Sequence, residues 1–570
     1  MIWRDVHTRD VPSHTLTETD DMLASIVAAR GVLSDEQRNI SLAALAPVSQ
    51  LGGLPQAVAL LQQHHDGRIM IVGDFDADGA TSTALMLRGL AALGFAHVDF
   101  IVPNRFDFGY GLSPEIVDVA IAESPTLIVT VDNGISSNAG VARAREQGID
   151  VLITDHHLPP KTLPDANVIV NPNCVDDDYP SKHLAGVGVA FCVLVALARH
   201  IAPDDPAATR MPASLLDLVA LGTVADVVPL DRNNRILVDA GLQRIRAGRC
   251  VPGIAALLDV GGRDRTRVVA TDFGFAVGPR LNAAGRLQDM SVGIRCLTTD
   301  DPVLARQLAE QLDAINRERR TVEADMQADA LKLLETLDDA ALSEQPQYCV
   351  CLYEPDWHQG VVGLVASRIK ERLHRPVFAF AREREGATML KGSGRSIPGV
   401  HLRDVLAEVA RREPGIIVRF GGHAMAAGLT LAEDALPMFS ACVDAVVKAV
   451  CPQALLTPAI LVDGTLDAQH LDIRFAQTLR DEGPWGQEFV EPSFTGTFDV
   501  VSARVVGEHH LKLSVSYEGA VIDGIAFNQI EPDIPQQGAR IELVYRLDVN
   551  EWRGKQSAQL MILQWRYPDV

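Results

Sequence analysis

The stretch GDFDADG places three carboxylates, Asp74, Asp76 and Asp78, at alternate positions just after the apolar run RIMIV. If the backbone stays extended, alternation aims all three to one side, and Gly79 lets the chain turn sharply into the next helical segment. Carboxylate oxygens are hard ligands that suit Mg²⁺ or Mn²⁺. A calcium loop of the EF-hand type also begins D-x-D-x-D-G, but the twelfth position counted from Asp74 is Leu85 rather than Glu, and an apolar strand precedes the loop. Asp132 ends TLIVTVDNG in the same strand-to-loop position, and Asp155, His156 and His157 end VLITDHH. Adjacent histidines point to opposite sides of an extended chain, so one imidazole should face the site while the other takes a second role. Asp226, in LGTVADVVPL, follows an apolar helix and can close the set. Each group alone has an ordinary reading: an Asp-rich solvated turn, a helix N-cap at Asp132, a structural histidine. Three strand ends bringing carboxylates and imidazoles to one edge make coincidence the poorer account. Mixed Asp and His ligation favours a hydrolytic centre with two divalent cations, Mn²⁺ or Mg²⁺, that activates water for in-line attack.

The elements that must position these groups alternate. RIMIV, HVDFIV, TLIVTV and IDVLIT are buried-strand candidates separated by helical segments such as TSTALMLRGLAALG and SNAGVARAREQG. Such alternation predicts an α/β fold with a mostly parallel sheet, whose ligands bind beyond the carboxyl ends of the strands. The 570 residues suit about three or four domains. We expect a helical leader over 1–50, the catalytic α/β domain over 51–300, and a long charged connecting helix over 301–340. A smaller α/β domain over 341–455 follows, then a β-barrel of the oligonucleotide-binding (OB) type over 456–570, read from five or so alternating runs joined by turns. A net charge of −23 argues against a polyanion binder working by bulk charge, but leaves room for a nucleic-acid enzyme with its basic groups gathered in one groove. Eight scattered cysteines without a C-x-x-C pair point to reduced thiols and a cytoplasmic location rather than a zinc ribbon. The most apolar stretch, Leu184 to Ala202, contains Arg199 and His200 and reads as a buried helix rather than a membrane span.

Further groups could hold a nucleic acid. GSGRS (Gly392 to Ser396) and FGGH (Phe420 to His423) read as glycine-rich loops whose backbone N–H groups can approach phosphate, with Arg395 and Ser396 adding a charged fork and a hydroxyl. GPRLNAAGR offers Arg280, Asn282 and Arg286 as phosphate contacts, with a structural ion pair as the alternative for the arginines. In NRFDFGYGL, Asn104 and Arg105 stand beside Phe106, Phe108 and Tyr110, a pattern that suits stacking on unpaired bases or an aromatic core. Phe494, Phe498, Tyr517 and Trp552 are stacking candidates in the barrel, with a place in its core the equal alternative for half of them.

DxDxDG, the aspartate of VDNG and the DHH triplet resemble the DHH phosphoesterase superfamily. VGDFDADGATST, NRFDFGYGL, TDHHLPP, NPN, LAGVGVAF, LGTVADVVPL, GPRLNAAGR and FGGHAMAAG resemble its single-strand-specific 5′→3′ exonuclease branch over about residues 68 to 430. The resemblance implies a DHH domain, a DHHA1 domain and an OB-type domain, with the nuclease cleft between the first two. It implies release of 5′-mononucleotides from single-stranded DNA, in recombination and repair. Carried over position by position, Asp76 and Asp78 are similar to one ligand for each metal, Asp132 to the bridging carboxylate, and His156 and Asp226 to further ligands of one ion. Asp74 sits where many members place a histidine in a different register and goes to the first metal. His157 orients the phosphate or supports a ligand, and Asp155 fixes an imidazole tautomer. Ser393, Arg395 and His423 grip the DNA backbone near its 5′ end. A monomer is implied, with a single-stranded-DNA-binding protein and a RecQ-type helicase as partners. Rival readings are another DHH phosphodiesterase, such as an oligoribonuclease or a cyclic dinucleotide hydrolase, and a noncatalytic replisome scaffold.

Overall fold

Five apolar runs form one all-parallel sheet: β1 (Ile69–Gly73), β2 (Val98–Ile101), β3 (Leu127–Val131), β4 (Asp150–Thr154) and β5 (Val168–Val170), in the order β2-β1-β3-β4-β5. The structure is a computed structural model that describes residues 4–17, 20–103, 111–341, 347–384, 386–507, 509–529, 534–552 and 554–568. β1 and β3 are buried along their whole length, as strands covered on both faces must be, which is why they read as continuous apolar runs. Alternate residues feed two layers. Ile69, Ile71, Val129 and Val131 join the core under α1 (Leu54–Gln63), α2 (Ala77–Ala92) and α5 (Gly186–Ile201). Met70, Val72, Ile128 and Val151 pack against α3 (Pro114–Ile121) and α4 (Asn138–Glu146) on the other side. The strand order reverses between β1 and β3, which opens a crevice at their carboxyl ends. The acidic loops stand at this crevice.

α5 is buried almost all round. That accounts for its hydropathy, and no single described helix is long and apolar enough to cross a membrane. α6 (Leu216–Ala225) is likewise buried along most of its length, and α7 (Gly278–Leu287) follows a π-helical turn at Phe273–Val277. The long charged stretch forms α8 (Pro302–Ala341), a helix of 40 residues. The described chain divides into two compact units, one of residues 7–314 with 461–570 and the other of 315–460 with 4–6.

The second unit is built on a mixed sheet, β9-β10-β8-β7-β6, of β6 (Val350–Tyr353), β7 (Val377–Arg382), β8 (Met389–Arg395), β9 (Arg419–Gly422) and β10 (Ala426–Ala432). Only β6 and β7 run parallel. One face packs Phe378, Phe380, Leu390 and Leu429 against α10 (Leu402–Arg412) and α11 (Leu436–Val450), while α9 (Val362–Leu373) lies along β7 and β8.

The carboxyl-terminal strands close into a barrel in the order β11-β12-β13-β15-β14: β11 (Phe494–Val506), β12 (His510–Tyr517), β13 (Ala520–Ala526), β14 (Arg540–Trp552) and β15 (Lys555–Arg566). Closure removes the exposed strand edges that an open sheet would carry. Its core shares one continuous hydrophobic cluster with the parallel-sheet layer. Phe494 and Phe498 are 0% and 2% exposed, with Phe498 packed 5.5 Å from both Tyr517 and Tyr545, so these two rings fill the barrel and are not base platforms.

Candidate metal centre and nucleic-acid contacts

The aspartate loop departs from the extended form expected of it. β1 ends at Gly73, Asp76 caps α2 by accepting the Asp78 and Gly79 N–H groups at 3.0 Å, and Asp78 already lies in the first helical turn. An Asp at N-cap and another in the first turn complement the positive end of the helix, so capping overrides the alternation of a strand. Asp78 is buried and accepts two N–H groups from the start of α5, Gly186 at 2.6 Å and Val187 at 3.0 Å. Gly186 stands so close that a Cβ would fall 2.6 Å from the Asp132 Cβ.

Asp132 caps no helix. It follows β3 with φ at 60°, a left-handed conformation that Asp tolerates better than most residues and that recurs at functional sites. Next to it, Asn133 Nδ2 donates to the carbonyls of Val72 and Val131, joining the ends of β1 and β3. The two histidines do divide their roles. His156 Nε2 lies 3.2 Å from Asp132 Oδ1 and 3.4 Å from Asp226 Oδ2, while His157 Nδ1 bonds Asp155 Oδ1 at 2.8 Å. Asp155 also accepts the backbone N–H groups of His156, His157 and Ile135, which holds the DHH turn rigid.

Ligand-capable atoms of Asp78, His156 and Asp226 come within 4.8 Å of one another, as do those of Asp74, Asp76 and Asp132, and those of Asp132, His156 and His157. Asp132 and His156 each belong to two of these groups. Burial first, then the charge of Asp226, pushes the Asp78 carboxyl up to about 7. Burial and the charge of Asp76 do the same to Asp226, and burial with the charges of Asp78 and Asp76 drives Asp132 well above the carboxylate range. Burial and the neighbouring His157 hold His156 below its ordinary value. Burial opposes a proton on His157 too, but the bond to Asp155 and the charges of Asp155, Asp226 and Asp74 outweigh it and raise that imidazole to about 9. Asp155 is buried as well, yet the bond and charge of His157 keep it ionised below the usual range. His156 Nε2 and Asp226 Oδ2 are buried without a hydrogen-bond partner. Hard oxygens and an imidazole nitrogen, crowded, mutually repelling and unsatisfied, fit divalent cations.

The second-unit motifs are not loops. GSGRS lies largely in β8, whose backbone pairs with β7 and β10, so its N–H groups belong to the sheet and make no phosphate cradle. Gly392 and Gly394 are small because the rings of Phe380 and Phe378 lie where a Cβ would go, at 2.4 Å in each case. Ser396 is buried and donates to the Val400 carbonyl at 2.6 Å, which removes it from the expected contacts. Ser393 and Arg395 point to the opposite face, joined by a 2.9 Å bond from Arg395 Nη1 to Ser393 Oγ, under the first turn of α9 at Gly363. Register places Gly428 and Gly421 beside Ser393 on that face, and exposed His423 follows β9. In α7, Arg280 takes the structural alternative, a buried ion pair with Asp313 at 2.8 Å, and Asn282 Oδ1 accepts the Ala77 N–H at 2.8 Å. Asn104 and Arg105 lie outside the described residues.

Several supporting groups escaped the sequence reading. Asn171 and Asn173 donate to the carbonyls of His157 and His156, and the start of α5 holds Asp78. Their signals were the NPN and LAGVGV motifs, visible but without a deducible partner.

The chain matches the DHH family, N-terminal domain, over residues 68–223, the DHHA1 domain over 345–449 and the RecJ OB domain over 462–564. It is 52% identical over 557 residues to the single-stranded-DNA-specific exonuclease RecJ of Salmonella typhimurium, covering 95% of each chain. It is 50% identical to that of Escherichia coli, covering 97% of this chain and 96% of the relative. Among solved structures, RecJ of Thermus thermophilus in complex with Mn²⁺ superposes with a TM-score of 0.79 at 32% identity, covering 99% of this chain and 80% of that one. The Mg²⁺ complex of the same organism's RecJ gives 0.74 at 29% identity.

Proposed function

Because the chain belongs to the RecJ family of single-stranded-DNA-specific exonucleases, we propose that it hydrolyses single-stranded DNA from the 5′ end and releases 5′-mononucleotides. The observation that carries the reading is the buried cluster at the β1/β3 crevice, in which Asp132 and His156 each stand in two adjoining ligand groups. Such sharing is what a site for two cations needs. In this reading Asp78, His156 and Asp226 would hold one ion and Asp74 and Asp76 the other, with Asp132 as the carboxylate common to both. Bound there, the cations lower the pKa of water and neutralise charge developing on the phosphoryl oxygens. Every ligand type the family pattern requires is present, which argues against a noncatalytic scaffold.

The chain's own groups do the rest. The α5 N–H groups orient the Asp78 carboxyl, and cations bound in the cluster would favour its ionised form against the burial that raises it to about 7. His157, protonated near neutral pH with Nδ1 committed to Asp155, binds a phosphate oxygen of the substrate. Ser393 and Arg395, beside the first turn of α9, and the neighbouring His423 take the DNA backbone; a guanidinium, a hydroxyl and a helix start suit a phosphate. Arg286 in the last turn of α7 adds a contact, and Arg280 does not. The barrel carries the continuing strand. Work in recombination and repair as a monomer, alongside a single-stranded-DNA-binding protein and a RecQ-type helicase, completes the family reading.

The test is a time course on a DNA oligomer labelled separately at each end, with Mn²⁺, Mg²⁺ or chelator. Immediate release of mononucleotide from the 5′ label, with stepwise shortening of the 3′-labelled strand, is expected only with metal. Release from the 3′ label first reverses the polarity, and cutting in chelator removes the metal centre.

A further inference from the structure

GPRLNAAGR was expected to meet phosphate, but two of its side chains and one glycine face inward. Asn282 Oδ1 accepts the N–H of Ala77 at 2.8 Å. Ala77 opens α2, so this N–H is one of the donors that a helix cannot satisfy by itself. Asp76 serves the N–H groups of Asp78 and Gly79, and Asn282 serves the remaining one beside them. Three residues on, along the same side of α7, a Cβ on Gly285 would stand 1.7 Å from the Phe75 carbonyl oxygen, which no side chain can do without displacing backbone. The helix therefore lies directly on the peptides of Phe75 to Ala77, the segment that separates Asp74 from Asp78. Behind it, Arg280 ties α7 to α8, its Nε and Nη2 at 3.0 and 2.8 Å from Asp313 Oδ1, while Nη1 donates to the Ala276 carbonyl at 2.5 Å.

The geometry points to α7 as the mould of the aspartate loop, with Asn282 a positioning residue that sets the spacing of Asp74, Asp76 and Asp78 and through it the affinity for divalent cations. The Arg280–Asp313 pair fixes the mould in place. This inference rests on the reading of the cluster as a metal centre.

The test uses the full chain carrying Asn282→Ala, Asn282→Asp or Asp313→Asn. Mn²⁺ binding is followed by the electron paramagnetic resonance of free Mn²⁺, and single-stranded DNA binding is measured in chelator. Loss of a group that supports a ligand typically weakens metal binding about 10- to 100-fold, and that loss is expected for Asn282→Ala with DNA binding unchanged. Asn282→Asp keeps an oxygen acceptor for the Ala77 N–H, so its Mn²⁺ half-saturation should stay close to wild type. Asp313→Asn should weaken Mn²⁺ in the same direction as Asn282→Ala, and serves if that variant does not fold. A phosphate contact predicts the reverse: DNA binding falls in Asn282→Ala and falls further in Asn282→Asp, with Mn²⁺ unaffected. That result overturns the inference. If wild type binds no Mn²⁺ that Asp132→Ala abolishes, the metal-centre reading itself falls. If it does bind such Mn²⁺ and neither Asn282→Ala nor Asp313→Asn changes it, only the inference falls.

Discussion

Replacing Asp226 with Asn separates the electrostatic strain of the cluster from its chemistry. Burial and the charge of Asp76 bring this carboxyl to about 7 in the folded chain, against an ordinary 3.8. A carboxyl that holds its proton more tightly folded than unfolded makes the fold lose stability as pH rises from about 4 through about 7, with no further change above. At ~1.4 kcal/mol per pH unit the ceiling is about 4 kcal/mol, of which about 3 falls between pH 5 and pH 7. The side chain is 20% exposed, and Asp78 titrates in the same range and shares the repulsion, so about half, about 1–2 kcal/mol, belongs to Asp226. An unfolding entropy of about 2 cal/mol/K per residue over the compact unit that holds Asp226, roughly 400 residues, converts this to about 1–2 °C. The assay is thermal unfolding of wild type and Asp226→Asn in chelator at pH 5 and pH 8. The Tm of the variant minus that of wild type should be about 1–2 °C greater at pH 8 than at pH 5. The same variant should lose the rise in Tm that Mn²⁺ gives wild type, and its exonuclease activity. Equal Tm differences at the two pH values would refute the electrostatic reasoning. Undiminished stabilisation by Mn²⁺ would take Asp226 out of the metal site.

Asp132→Ala should abolish hydrolysis while leaving single-stranded DNA binding in chelator largely intact, read by end-labelled turnover and filter binding; near-normal turnover sinks the bridging role. Arg395→Ala should weaken DNA binding and make its logarithmic salt dependence shallower by about 0.7, the share of one single-strand phosphate contact. An unchanged slope moves Arg395 off the DNA path. Phe498→Leu should lower barrel stability by about 1 kcal/mol with no change in DNA affinity, because the ring is core; reduced affinity at unchanged Tm would restore it as a stacking platform.

The acidic constellation was legible because a parallel sheet delivers every strand's carboxyl end to one edge, so motifs scattered along the chain had to converge. Asp78 was placed on the right side for the wrong reason, since helix capping rather than strand alternation directs it. GSGRS misled because glycine marks both a mobile loop and a strand pressed on aromatic rings, and Phe378 and Phe380 were too distant in sequence to announce themselves. Arg280 and Asn282 misled similarly: their type suits phosphate, and only the tertiary contacts with Asp313 and Ala77 show them engaged within the protein. The backbone donors of Gly186 and Val187 carry no side-chain signal at all.

The groups that meet at the β1/β3 crevice are strung from Asp74 to Asp226, and the helix that seats their first loop begins only at Gly278. Local folding cannot assemble such a centre, because its contacts join distant parts of the chain and must wait for the intervening helices to dock. A nascent chain that has emerged only as far as β5 carries Asp74, Asp76, Asp78, Asp132 and His156, yet it lacks Asp226 and the seat. The order of synthesis thus delivers the ligands unevenly: the first five stand in the chain well before α6 brings Asp226 to complete their set.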